Sequence, residues 1–138
     1  APIELGKAEL IYAEGQICLM AVGSMVKTAC EVRELLQEAG YRCSLINARF
    51  VKPIDERAVK WAARNHQMVV SMEENVACGG YGEKVREALL RVGEETAFLP
   101  VSIPDEYVEH GNVELLKKEV GIDTESIVRK ILATLKNR

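Results

Sequence analysis

The chain has no dense block of lysine and arginine, and its formal net charge is −3. A nucleic-acid footprint needs clustered positive charge, so no nucleic-acid partner is expected. No apolar run approaches the roughly 18 residues of a membrane-spanning helix, and no signal-peptide pattern opens the chain. No membrane partner is expected either. The two histidines, His66 and His110, are too few for a histidine-based metal site. The four cysteines, Cys18, Cys30, Cys43 and Cys78, show no CxxC or other ligand spacing. Cys18 and Cys43 sit inside apolar runs, the pattern of buried, reduced thiols in a cytoplasmic protein. There is no repeat, no low-complexity tract and no internal linker.

What is present is an ordinary globular composition. The chain has 138 residues, 48% of them hydrophobic and 28% charged. That suffices for one compact domain spanning 1–138 with one core. Residues 1–7 read as an extended lead-in, so the chain is expected to be a fragment of something larger.

The pattern then alternates. "AELIYAEG" reads as a short strand ending at Gly15. "ICLMAV", residues 17–22, is continuously apolar, as in a strand covered on both faces. Ser24 is placed to cap a helix in which Met25, Ala29, Val32, Leu36 and Ala39 recur at helical spacing, stopped by Gly40. "CSLINARFV" is the next strand. Asp55 caps a short helix through Val59 and Ala62 or Ala63. "QMVVSM" is another buried strand, followed by a helix through Val85, Ala88, Leu89 and Val92 that Gly93 closes. "AFLPVSI" is the last strand; Pro100 cannot donate to a ladder, which places it at a sheet edge. Two helices finish the chain. One is capped by Asn112 and broken by Gly121. The other is capped by Asp123 and carries Ile127, Ile131 and Leu135 on one face. Strands alternating with helices predict a three-layer α/β/α sandwich around a five-stranded, mostly parallel sheet.

In such sheets ligands bind beyond the carboxyl ends of the parallel strands. The loops there hold the polar residues Arg49, Lys52, Glu73, Glu74, Asn75, Asp105, Glu109 and His110. "GGYGEK" has neither the GxGxxG of a dinucleotide site nor the GxxxxGK[ST] of a phosphate loop. Gly79, Gly80 and Gly82 instead let the backbone turn into the next helix. Glu73 and Glu74 invite an acid–base reading. Adjacent strand residues point to opposite faces, however, so capping of backbone amides or pairing with Arg49 or Lys52 competes with it. His110 is either a proton shuttle or a loop-ordering residue. No Ser-His-Asp or Cys-His set can be assembled, and nothing amounts to a complete active site.

"NARFVKPID", "EENVACGGYG" and "IPDEYVEHG", in this order and followed by "GID" and a terminal helix, resemble the C-terminal domain of the 1-deoxy-D-xylulose 5-phosphate synthase family. "PIELGKAE" is similar to that family's entry into the domain. The likeness spans essentially the whole chain; Tyr107 departs from it, where Phe is expected. Transketolases and the β-subunits of 2-oxo acid dehydrogenases share the domain and its "EE", and in the dehydrogenases it also binds a partner acyltransferase. "RFVKPID" and "PDEYVEHG" fit the synthase better. A stand-alone interaction module built on the fold is the other alternative.

The resemblance implies a sheet whose first strand is antiparallel to the rest. It implies the third domain of a longer enzyme that condenses pyruvate with glyceraldehyde 3-phosphate and releases CO₂, feeding isoprenoid and thiamine synthesis. Thiamine diphosphate and Mg²⁺ belong to the other two domains, and their GDG motif with a distant Asn is absent here. The role implied for this chain is structural and dimer-supporting, with the remaining domains and a second copy of the enzyme as partners. No catalytic, cofactor-binding or metal residue is expected in it. Arg49, Lys52, Glu73, Glu74, Asn75, Gly79, Gly80, Gly82, Asp105 and His110 are the residues expected to organise the loops or face the other domains.

Overall fold

The computed structural model describes residues 3–5, 8–23, 25–48, 55–76, 80–93, 95–103 and 123–136. Within them the chain runs β1 (Ile3–Leu5), β2 (Ala8–Tyr12), β3 (Ile17–Ala21), α1 (Met25–Glu38), β4 (Cys43–Asn47), α2 (Glu56–Asn65), β5 (Met68–Val76), α3 (Tyr81–Val92), β6 (Ala97–Ile103) and α4 (Thr124–Lys136). The strands form one sheet in the order β1-β2-β4-β3-β5-β6.

The four central and distal strands β4, β3, β5 and β6 are parallel, while β2 runs antiparallel to β4. That is the expected architecture. The lead-in contributes more than an extended approach, because Ile3–Leu5 pairs antiparallel with β2 as a sixth strand. The opening strand read from "AELIYAEG" is therefore not an edge. Three residues with polar flanks carry too weak a period to be read as a strand; pairing with β2 makes them one. At the other end β6, with Pro100, pairs only with β5 among the described residues.

The apolar runs are explained by cover on both faces. Every residue of β3 is buried. On one side α1 and α4 bring Met25, Ala29, Val32, Leu36, Ile127 and Ile131 onto Ile17, Leu19, Leu45, Val70 and Met72. On the other, α2 and α3 bring Ala58, Val59, Ala62, Val85 and Ala88 onto Cys18, Met20, Ile46 and Val69. The alternation along each strand feeds two cores from one sequence. Cys18 and Cys43 thus belong to clusters on opposite faces of the sheet. Burial, and then the neighbouring Cys43, pushes the Cys18 thiol far up; burial, partly offset by Arg33, pushes Cys43 up to about 12.

One turn is locked by a glycine. Gly15 sits at φ +83°, and a Cβ there would lie 2.2 Å from the Arg42 carbonyl oxygen. That oxygen accepts the amides of Gln16 and Ile17 at 3.0 and 3.4 Å, which sets the register of β3 beside β4. Only a residue without a side chain allows the approach.

Candidate functional site

Parallel strands running one way bring their carboxyl ends to one edge of the sheet. α2 begins at this edge, and Asp55 caps it as expected: Oδ1 accepts the amides of Arg57 and Ala58 at 3.1 and 3.2 Å. Its Oδ2 also accepts the Ala8 amide at 2.9 Å, tying the start of β2 to the start of α2. Local pattern revealed the cap, but not this bond across 47 residues.

The centre of the described edge is Glu73, only 4% exposed. Oε1 accepts the Tyr81 amide at 2.9 Å, and Oε2 the Gly82 amide at 2.5 Å. Gly80 holds the N-cap position of α3 and has no side chain to cap it. Glu73 supplies the missing acceptors from the end of the neighbouring strand. It also places a carboxylate at the positive end of the helix. Of the two readings open for Glu73, the geometry provides amide capping. Tyr81 beside it is buried, which raises its phenol pKa far above the ordinary value, with Cys18, Asp55 and Glu73 adding to the effect.

Gly82 is expected in the turn; it lies instead in the first turn of α3, packed on the sheet. A Cβ there would lie 3.2 Å from both Glu73 Oε2 and Ser71 Oγ and 3.5 Å from Pro100 Cβ. Ser71 is fully buried, and its hydroxyl has no hydrogen-bond partner among the described residues. Such a group costs about 1–3 kcal/mol when left unpaired. The signal was present in the sequence as the one polar residue interrupting "MVVSM".

A cavity of about 160 Å³ opens over this corner, walled by Glu73, Gly82, Glu83, Arg86, Pro100 and Ser102. A second, of about 250 Å³, shares Arg86 and continues to Leu89, Leu90, Thr96 and Phe98. The Arg86 guanidinium stands 5.5 Å from the centre of the Phe98 ring. Leu90 is 78% exposed. Arg86 and Ser102 were not singled out in the sequence, and Pro100 only as the mark of an edge strand: a helix face and an edge strand meet here, and neither pattern carries the other's position.

Of the other expected residues, Glu74 and Asn75 extend the backbone of β5. Arg49, Lys52, Gly79, Asp105, Glu109 and His110 lie outside the described residues, as do Ser24, Cys78 and the helix expected after Asn112. Among the described residues, no three His, Cys, Asp or Glu side chains are grouped to hold a metal ion. No described helix is long and apolar enough to cross a membrane.

The opposite edge holds a polar network that the sequence did not announce. His66 Nδ1 lies 2.8 Å from the Ala62 carbonyl, so it carries a proton. His66 Nε2 lies 2.6 Å from Ser44 Oγ, which also accepts the Glu14 amide at 2.8 Å and lies 2.9 Å from the Glu14 carbonyl. Ser44 has one proton to give, either to a neutral imidazole or to the Glu14 carbonyl.

The sequence profile of the transketolase, C-terminal domain family matches residues 6–127. The chain belongs to that family. Its curated relatives include the 1-deoxy-D-xylulose-5-phosphate synthase of Lachnoclostridium phytofermentans, 47% identical over 127 residues, covering 91% of this chain and 20% of that protein. The synthase of Pelotomaculum thermopropionicum is 41% identical over 137 residues, covering 99% of this chain and 22% of that protein. This transketolase C-terminal domain thus spans about a fifth of the relatives it matches. Among solved structures, a split-gene transketolase described as an inactive β4 tetramer superposes with a TM-score of 0.84 at 24% identity, covering 97% of this chain and 43% of that one. A Campylobacter jejuni transketolase superposes with a TM-score of 0.61 at 17% identity, covering 94% of this chain and 19% of that one. At these identities the two structures support the fold.

Proposed function

We propose that this transketolase C-terminal domain is the third domain of a 1-deoxy-D-xylulose 5-phosphate synthase. The intact enzyme, a thiamine-dependent transferase of the transketolase type, condenses pyruvate with glyceraldehyde 3-phosphate and releases CO₂. The observation that carries this reading is the 47% identity to a synthase along 91% of the chain. The motifs "RFVKPID" and "PDEYVEHG" point the same way. The product of such a reaction enters isoprenoid and thiamine synthesis, and the enzyme works in the cytoplasm as a homodimer.

Thiamine diphosphate and Mg²⁺ are placed in the remaining domains. The described residues do not fit the metal, since no three ligating side chains come together among them. This chain is given a supporting role. Its carboxyl edge, with Glu73 holding the start of α3, presents the loops around Arg49, Lys52, Glu74, Asn75, Gly79, Asp105 and His110 to the other domains and the dimer. The domain by itself performs no catalysis.

The test uses the intact protein that contains this domain. Supplied with thiamine diphosphate and Mg²⁺, it is expected to release CO₂ from pyruvate in a glyceraldehyde 3-phosphate-dependent manner. Transfer of two-carbon units between sugar phosphates, with pyruvate untouched, would place the domain in a transketolase instead.

A further inference from the structure

β2 is fastened differently at its two ends. Among the described residues β1 pairs only with β2, so β4 alone ties these two strands to the rest of the sheet. The end of β2 toward Glu14 is held several times over. The Arg33 guanidinium stands 3.7 Å from the centre of the Tyr12 ring, bonds the Glu14 carboxylate, and donates through Nε to the Cys43 carbonyl at 3.0 Å. Ser44 Oγ accepts the Glu14 amide at 2.8 Å. The end toward Ala8 is held differently. Glu9 lies opposite Asn47, the last residue of β4. Ala8 is thus past the end of its partner strand, and its amide goes to Asp55 Oδ2 at the start of α2 instead. Between the two ends the β2–β4 register slips at Ile11. Such a bulge leaves a residue unpaired and bends the strand.

Local opening draws on segments with few buried contacts and few ladder bonds. β3 is paired on both sides and wholly buried. In β2 only Ala8 and Leu10 are buried. We propose that β1 and β2 form a strap that swings off β4 as a unit, hinged at Tyr12–Glu14 and latched at Ala8 by the Asp55 carboxylate. Opening breaks the Ala8 bond and the pairing of Glu9 with Asn47 and of Leu10 with Ile46, and it uncovers the outer edge of β4. β3, β4, β5 and β6 stay paired. Asp55 suits the latch because its oxygens have separate tasks: Oδ1 caps α2, and Oδ2 holds the strap. In the synthase proposed above, the strap gives this domain a movable joint to its neighbours. That consequence rests on that reading; the opening itself does not.

The experiment is amide-resolved hydrogen exchange by NMR on the 138-residue chain, in wild type and two variants. Asp55→Asn keeps the shape and turns the oxygen that faces Ala8 into a donor. Asp55→Ser has one side-chain oxygen, which the cap of α2 claims. Both residues cap helices about as well as aspartate, so α2 should survive in each. In wild type the Glu9 and Leu10 amides should exchange through one shared opening, roughly tenfold or more faster than those of Cys18–Met20. In both variants they should exchange about fivefold or more faster again, the loss of one hydrogen bond. The Glu14 amide at the hinge and the β3 amides should keep their wild-type rates. Loss of protection at Ala8 alone, with Glu9 and Leu10 unchanged, overturns the latch. So does an equal acceleration of β2 and β3, which marks global unfolding. Wild-type protection of Glu9 and Leu10 equal to that of β3 overturns the strap. None of these outcomes depends on synthase activity, so failure of the two proposals can be told apart.

Discussion

Glu73, the last buried side chain described in β5, accepts the backbone amide of Gly82 at 2.5 Å and so fixes where α3 starts. The bond joins a strand end to a helix start nine residues later, with the Tyr81 amide on the other oxygen. Glu73→Gln keeps the shape and turns one acceptor into a donor that faces an N–H. The expected loss is about 1–3 kcal/mol, read as a lower urea midpoint with an unchanged slope. A midpoint equal to wild type would mean that the cap contributes nothing.

Gly82→Ala follows from the same corner. Alanine is the better helix former by about 1 kcal/mol. Its methyl, however, would sit 3.2 Å from two atoms that are both held in place, Glu73 Oε2 by the amide of residue 82 and Ser71 Oγ by burial. Overpacking of this kind costs about 1–3 kcal/mol, so the net change is expected to be destabilising. Glu73→Gln with Gly82→Ala should fall short of additive, since the two share one contact. An increase in the melting temperature of Gly82→Ala would show that the corner can relax.

The cover on both faces of the sheet was legible because period and burial agree, although one core was expected and the sheet divides it into two. "ICLMAV" has no polar residue, and β3 has both faces covered. Ile127 and Ile131 recur at four residues and are both buried on α4. The Asp55 cap was legible for the same local reason. What escaped the sequence depends on distant partners. Residues 3–5 are a strand because β2 is beside them. Arg86, Pro100 and Ser102 share a cavity wall because α3 lies over β6, and no residue spacing encodes that. Glu73 stood out in the sequence, and the choice between capping and acid–base roles needed the position of the Gly82 amide.

α4 supplies a test of the docking of the C-terminal helix. Ile127 is fully buried between α1 and the sheet side of the first core. Ile127→Ala should destabilise the domain by about 2–5 kcal/mol through lost burial and the cavity left behind. Val128→Ala, on a partly buried neighbour, should cost visibly less. Equal losses in the two variants would argue that α4 packs more loosely than its burial indicates.

In the intact enzyme the edge loops are expected to serve domain contact. Glu74→Gln removes a charge and keeps the shape. If the residue supports assembly, stability or dimer affinity should fall by about 1–3 kcal/mol, with turnover per assembled dimer little changed. A drop of roughly 10²–10⁴ in turnover with assembly intact would mark an acid–base catalyst, and would move this domain into the chemistry.

The His66 network makes stability depend on pH in a definite direction. Burial lowers the imidazole pKa below its ordinary value of 6.5, although the bond to the Ala62 carbonyl pulls the other way. The folded state therefore binds a proton at His66 less readily than the unfolded chain does. Above pH 6.5 both states hold it neutral, and its contribution to stability is fully present. As pH falls below 6.5 the unfolded chain takes up a proton first and stability declines. The decline from this group levels off once the folded imidazole is protonated too. In the neutral form Ser44 gives its proton to Nε2, and the Glu14 carbonyl goes without it; in the charged form Nε2 donates to Ser44 Oγ, which can turn its proton to Glu14. Urea midpoints measured from pH 7.5 to pH 5.5 should therefore fall with pH, and His66→Gln should flatten that slope in a His110→Gln background. The assigned His66 ring resonances should titrate below 6.5. A midpoint that rises as pH falls across this window would reverse the assignment of the network.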